Sequence, residues 1–77
     1  MAVRDADGET RLRASQKVAE HLRRNILAGK WRLGERVASE HMLAGQLGVS
    51  RVSVRLAIQQ FTAIGVLESV HGSGTFL

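Results

Sequence analysis

Two helical patterns divided by only three residues constrain this chain more than any other feature. In Leu43-Ala44-Gly45-Gln46-Leu47-Gly48-Val49-Ser50-Arg51-Val52-Ser53-Val54-Arg55, Leu43 and Leu47 set an apolar face at i,i+4. Val54, Ala57, Ile58, Phe61 and Ile64 continue it as a longer stripe. With only Gly48, Val49 and Ser50 between them, the two helices must turn sharply and share one core. Gly48 suits the positive φ that follows a helix, Val49 suits the buried corner, and the Ser50 hydroxyl suits the cap of the next helix. The cap places Arg51, Val52, Ser53 and Arg55 in the opening turns of that helix. An exposed helix start carrying two guanidiniums and small hydroxyl or methyl groups suits the major groove of DNA.

The rest of the chain predicts the frame around this unit. Residues 1–14 are polar, contain Gly8 and lack apolar periodicity, so they read as a flexible arm whose Arg11 and Arg13 can trail along a phosphate backbone. Residues 15–77 read as one domain. Ser15 is placed to cap a helix over 16–28, with Val18, Leu22 and Ile26 as its stripe, Leu27 in support and Gly29 as its stop. Trp31 reads as an anchor after that helix. Gly34 marks a turn, Val37 returns to the core, and Arg36-Val37 is a candidate short strand. Ser39 caps the second helix, and Glu40 reads as structural, its carboxylate set against the first amides. Gly65 ends the third helix, after which 66–70 and 75–77 can pair as a hairpin around His71-Gly72-Ser73-Gly74. The expected fold class is mainly α with a small β wing: a winged helix-turn-helix, three helices plus a C-terminal two-stranded hairpin.

Composition narrows the function. Seventy-seven residues allow one small domain, near the size where a single core is only just sufficient. Without cysteine there is neither a disulfide framework nor a thiolate metal site. No apolar run approaches the roughly 20 residues that span a bilayer, and Met1 to Glu9 has no apolar signal core, so a soluble cytoplasmic protein with no membrane partner is expected. The net charge is +4, distributed unevenly. Thr10 to Arg36 holds eight basic residues against Glu20 and Glu35, and His41 to Leu67 holds Arg51 and Arg55 with no carboxylate. That outlines a surface for a polyanion, although the N-terminal excess alone equally describes a solubilising face. Enzymatic readings fail on inventory. There is no HExxH or GxGxxG spacing, and His21, His41 and His71 have no triad or ligand arrangement, so no catalytic residue, metal or cofactor is expected.

The order and spacing of several segments closely resemble the N-terminal domain of GntR-type bacterial transcription regulators. The resemblance runs over roughly 16–77: Val18 to Gly29, Leu33-Gly34-Glu35-Arg36-Val37-Ala38-Ser39-Glu40, Leu43-Ala44, and Leu47-Gly48-Val49-Ser50-Arg51. It continues through Val54 to Ile58 and Ile64-Gly65-Val66-Leu67 to His71-Gly72-Ser73-Gly74-Thr75-Phe76. Leu33 and Ala38 stand where the family usually has proline, and Leu56 where it usually has glutamate. The lost prolines cost some preorganisation of the turns. Leu56 is the larger departure, because an apolar side chain off the main stripe invites packing on another surface. The resemblance implies a homodimeric regulator that binds short inverted repeats, with a C-terminal effector-sensing and dimerisation domain that is absent from this chain. It implies sequence-specific binding of double-stranded DNA as the operator-recognition domain of a metabolite-responsive regulator, a repressor in kind.

The candidate contacts follow. A guanidinium can bridge guanine O6 and N7, or fork a phosphate. The resemblance makes Arg51 a base or near-base reader and Arg55 a base or phosphate reader. Ser53 suits a base or a phosphate, and Val52 a thymine methyl, unless either is merely exposed. Ser39, His41 and Ser50 are backbone candidates at helix starts, with capping as the other role of the serines. His71 and Gly72 are wing candidates for the minor groove. The free domain is expected to be monomeric and to pair on DNA or in the full-length parent. A winged module that binds protein through Leu56 and the apolar wing edge is the rival reading, and RNA binding is weaker because a reading helix fits the narrow, deep A-form groove poorly.

Overall fold

The computed structural model describes the backbone of residues 2–77 and the side chains of residues 10–77. Helices α1 (Ala2–Leu27), α2 (Glu40–Leu47) and α3 (Arg51–Ala63) precede an antiparallel hairpin of β1 (Glu68–Val70) and β2 (Gly74–Phe76). This is the winged helix-turn-helix that the residue pattern predicts. No helix among the described residues is long and apolar enough to cross a membrane.

The first helix departs from expectation at its start. The stretch read as an arm is helical from Ala2 onward, while Met1 lies outside the described residues. Arg11, Leu12, Arg13 and Ala14 are strong helix formers with no proline among them, so extending the helix costs little. Ser15 is therefore an interior residue and no cap. It is buried, and its hydroxyl donates to the Leu12 carbonyl at 2.9 Å, which satisfies the oxygen locally.

The turn between α2 and α3 forms as its residues dictate. Gly48 takes φ +66° and ψ +39°, where a Cβ would be strained, and its N–H and that of Val49 both donate to the Ala44 carbonyl. From α1, the Lys17 ammonium donates to the Leu47 carbonyl at 2.9 Å, closing the end of α2 from outside. Ser50 then caps α3, its Oγ accepting from the Ser53 N–H at 3.1 Å, and Ser39 caps α2 by accepting from the Met42 N–H at 3.2 Å.

Helix α3 packs against both α1 and α2. Val18 and Leu22, Leu43, and Val54, Ala57 and Ile58 meet Trp31, Val37 and Leu67 in one buried core. Ile26, Leu47, Val49 and Phe61 are half-buried around it. Two residues expected in the stripes are exposed. Leu27 lies a further 100° around α1 from Ile26, and Ile64 follows the end of α3, where Gly65 at φ +77° turns the chain. Leu56 is partly exposed on the outer side of α3.

The wing is short and anchored through its backbone. Glu68 pairs with Phe76 and Val70 with Gly74, leaving residues 71–73 as the tip. The expected strand at Arg36-Val37 is reduced to a single bridge, Arg36 to Phe76, yet its neighbours bond extensively to the wing. The Val37 N–H donates to the Thr75 carbonyl at 2.9 Å, the Leu77 N–H to Glu35 at 3.0 Å, and the Gly34 N–H to Leu77 at 2.8 Å.

Candidate nucleic-acid interface

The apolar stripe of α3 decides which of its side chains are available. Ser53, Val54, Ala57 and Ile58 face inward, so Arg51, Val52, Arg55 and Leu56 face outward by helical periodicity. Arg51 and Arg55 have 62% and 56% of their side chains exposed on one side of the helix, and Val52 is half-exposed beside them. Ser53 is not part of this face. It is buried, and its hydroxyl lies 3.0 Å from the Ser50 Oγ, so the residue predicted as a base or phosphate contact instead completes the cap. Position 53 lies within 100° of Val54 on the inner side, and a hydroxyl there is tolerated because Ser50 partners it.

The backbone candidates surround that helix start. Ser39 and His41 flank Glu40 at the beginning of α2, His41 exposed and Ser39 half-exposed with its Oγ already accepting a bond. Ser50 is exposed at the start of α3. On the far flank, Thr10, Arg11 and Ala14 of α1 border the turn at Gly48, Val49 and Ser50, which brings Arg11 beside the start of α3.

The wing closes the other flank. An open groove runs between Arg51, Glu40 and Ser39 on the helices and Ser69, His71, Gly72 and Thr75 on the hairpin. Thus the two predicted reading elements border one concave surface. Arg36 also lines it, a residue read from the sequence as part of a short strand and of the basic excess over Thr10 to Arg36, with no place at the interface. A Cβ at Gly74, which sits at φ +119°, would lie 2.6 Å from the Arg36 Nε, so the glycine is what lets Arg36 cross the wing. The turn at Gly34 followed by a basic residue was the available signal, but the approach to Gly74 depends on how the wing folds back.

Glu40 links the two arginines. Its carboxylate accepts from the Arg55 Nε–H at 3.2 Å and Nη2–H at 3.1 Å, and its Oε1 lies 3.8 Å from the Arg51 Nη2. The hydrogen bonds from Arg55 hold the Glu40 carboxyl below the usual carboxylate range, against the opposing effect of partial burial and with help from both positive charges. Trp31 is buried and does not line this groove, and the Lys30 ammonium lies 5.6 Å from its ring centroid, as suits an anchor. Among the described residues no cluster of three or more His, Asp or Glu could hold a metal ion.

Comparison with known proteins adds an independent line. The pattern described as bacterial regulatory proteins, gntR family, matches residues 14–77. The chain is 37% identical over 62 residues to the mannosyl-D-glycerate transport/metabolism system repressor MngR of Escherichia coli strain K12, covering 80% of this chain and 26% of that protein. It is 42% identical over 65 residues to a putative L-lactate dehydrogenase operon regulatory protein of the same organism, covering 84% of this chain and 25% of the relative. The chain therefore spans about a quarter of the length of these curated relatives. Among solved structures, the DNA-binding domain of AraR in complex with operator ORR3 superposes with a TM-score of 0.80 at 36% identity, covering 83% of this chain and 77% of that one.

Proposed function

The chain belongs to the gntR family of bacterial regulatory proteins, and from that premise we propose that it reads a short inverted repeat in double-stranded DNA for a metabolite-responsive repressor. The observation that carries this reading is exposed Arg51 facing the wing tip across one open groove, with Arg55 exposed one turn further along α3. In this reading α3 enters the major groove. Arg51 contacts a base edge, Arg55 a base or a phosphate, and Val52 packs on a thymine methyl. Ser39, His41 and Ser50 meet the phosphate backbone. Arg36 lies between the helix and the wing, where the duplex backbone passes, and His71 with Gly72 follows the minor groove. Ser53 has a supporting task only, holding Ser50.

Operator occupancy needs a second copy. A two-fold operator mirrors two-fold protein symmetry. We infer that the domain is monomeric when free, pairs on an inverted repeat, and works in the cytoplasm beside a separate effector-sensing region. The test is selection of half-sites from a randomised duplex library, followed by Arg51→Ala. Loss of about 1–3 kcal/mol on the selected site, with a smaller loss on shuffled duplex, is expected for a bidentate base contact. Equal loss on both would make Arg51 a phosphate contact, and failure to enrich any duplex would defeat the reading.

A further inference from the structure

Glu40 is the one acidic side chain among the residues lining the groove between the reading helix and the wing. A carboxylate there repels phosphate, so its position calls for a reason that a capping role does not supply. Ser39 already caps α2, and an acid serving the first amides has no need of a partner on another helix. Yet Glu40 reaches fifteen residues along the chain to grip Arg55 by two bonds, with 27% of its own side chain exposed.

The geometry of that grip is specific. Arg55 presents the edge formed by Nε and Nη2 to the carboxylate. Its Nη1 hydrogens and the outer hydrogen of Nη2 point away from that edge, on the side open to a ligand. Arg51 lies beyond hydrogen-bond range of Glu40 but within ionic reach, so it is drawn toward the same point while keeping its donors for another acceptor. An untethered arginine populates many rotamers and must lose them on binding, whereas one held side-on meets its acceptor already oriented. The charge balance matters equally. Arg51, Arg55 and Glu40 together carry +1 in place of +2, which lowers the attraction to any phosphate and leaves hydrogen-bond direction as a larger share of recognition.

We propose that Glu40 is a specificity-determining positioning residue: through its two-point bond to Arg55 and its pull on Arg51 it gives up general affinity for DNA in exchange for discrimination between sequences. The inference rests on the DNA-reading function above and deepens it. It sets Glu40 apart from an ordinary helix-start acid, whose removal would lower stability slightly and leave selectivity alone.

The experiment uses the whole chain, the duplex that the wild type enriches from a random library, and a shuffled duplex of equal length. Glu40→Ala and Glu40→Gln are expected to bind the shuffled duplex more tightly, with a salt dependence steeper by about one phosphate contact, and to lose roughly fivefold or more in the selected-over-shuffled ratio. In an Arg55→Ala background the same Glu40 substitutions should change the ratio much less, because the two-point bond to Arg55 carries most of the effect and only the weaker pull on Arg51 remains. In the free protein, 15N relaxation at the Arg55 Nε should report order in the wild type and mobility in Glu40→Ala. Thermal melts of both variants separate these effects from misfolding, and Glu40→Gln supplies the folded case if Glu40→Ala is unstable. An unchanged ratio in folded Glu40→Gln overturns the proposal, as does a full loss that persists without Arg55, which would make Glu40 a direct contact. A wild type that enriches no duplex brings down the DNA-reading function itself, and that outcome appears before any variant is measured.

Discussion

The helix-turn-helix and the wing border the same groove but are held by different forces. Leu43, Val54, Ala57 and Ile58 fix α2 and α3 by burial in the common core, and the turn between them satisfies its amides through Gly48 and Ser50. The wing has three-residue strands whose β1 side chains are all exposed, and it is joined to the body by backbone bonds to the segment 34–37 and by buried Leu67 at its root. Burial resists local opening far better than solvent-exposed backbone pairing. Helix α3 is thus a rigid element, whereas the wing is an adjustable element carrying one short tip. On the proposed function, a groove built in this way keeps the register of α3 on the bases while its flank adapts to the width of the duplex.

The contrast can be broken most forcefully at its rigid side. Leu43→Ala should cost about 2–5 kcal/mol, as for other fully buried leucines, and in so small a domain that is a large share of the total stability. Denaturant unfolding should show the helices and the wing lost together. Survival of the helical signal with little change in midpoint would place the core elsewhere. Gly48→Ala tests the turn rather than the packing. The left-handed backbone at φ +66° should make the substitution cost about 1–2 kcal/mol, although nothing lies close enough to clash with the added methyl. A melt at the wild-type temperature would mean that the turn relaxes.

The wing should answer differently. His71→Ala is expected to leave stability within about 0.5 kcal/mol of wild type while weakening DNA binding, because the tip is exposed and outside the core. Hydrogen exchange gives a direct reading, with amides of β1 and β2 exchanging ahead of those in the middle of α3. Equal protection in both would erase the distinction.

The smallest effect expected is a pH dependence that belongs to the helical frame. Burial pushes the His21 imidazole below its ordinary pKa, and the nearby charges of Lys30 and Arg24 push in the same direction. Because the folded state favours neutral His21, its contribution is fully present above the unfolded pKa and is lost as the pH falls through the lower folded value. The ring lies 2.9 Å from the Asn25 amide nitrogen, a contact that suits a neutral Nε2 acceptor. Mild acid should therefore lower the melting temperature, and His21→Gln should flatten that part of the profile.

The residues whose structure follows from near neighbours were legible in the chain. Ser39-to-Met42 and Ser50-to-Ser53 capping, the left-handed Gly48, and the inward stripe of Val54, Ala57 and Ile58 each depend on positions three or four apart. The exposure of Arg51 and Arg55 follows from the same period. Errors arose where the period was read without the partner. Ser53 looked like a groove contact because hydroxyls suit bases, but its azimuth lies on the inner side of the helix, and Ser50 makes its burial tolerable. Ser15 looked like a cap because apolar periodicity begins after it, although Arg11 to Ala14 just before it favour helix as well.

By itself, then, the sequence determined the helix-turn-helix, its two outward arginines and the existence of a hairpin, since local sterics, capping and hydrophobic period act within a few residues. Tertiary structure alone decided that Glu40 should hold Arg55 and draw in Arg51, and that Arg36 should pass Gly74 into the groove. These are encounters between charges and backbones that only the docking of α2 on α3 and of the wing on segment 34–37 brings within reach. Coulomb attraction and hydrogen bonding weaken steeply with distance, so such partners leave no periodic trace in the chain.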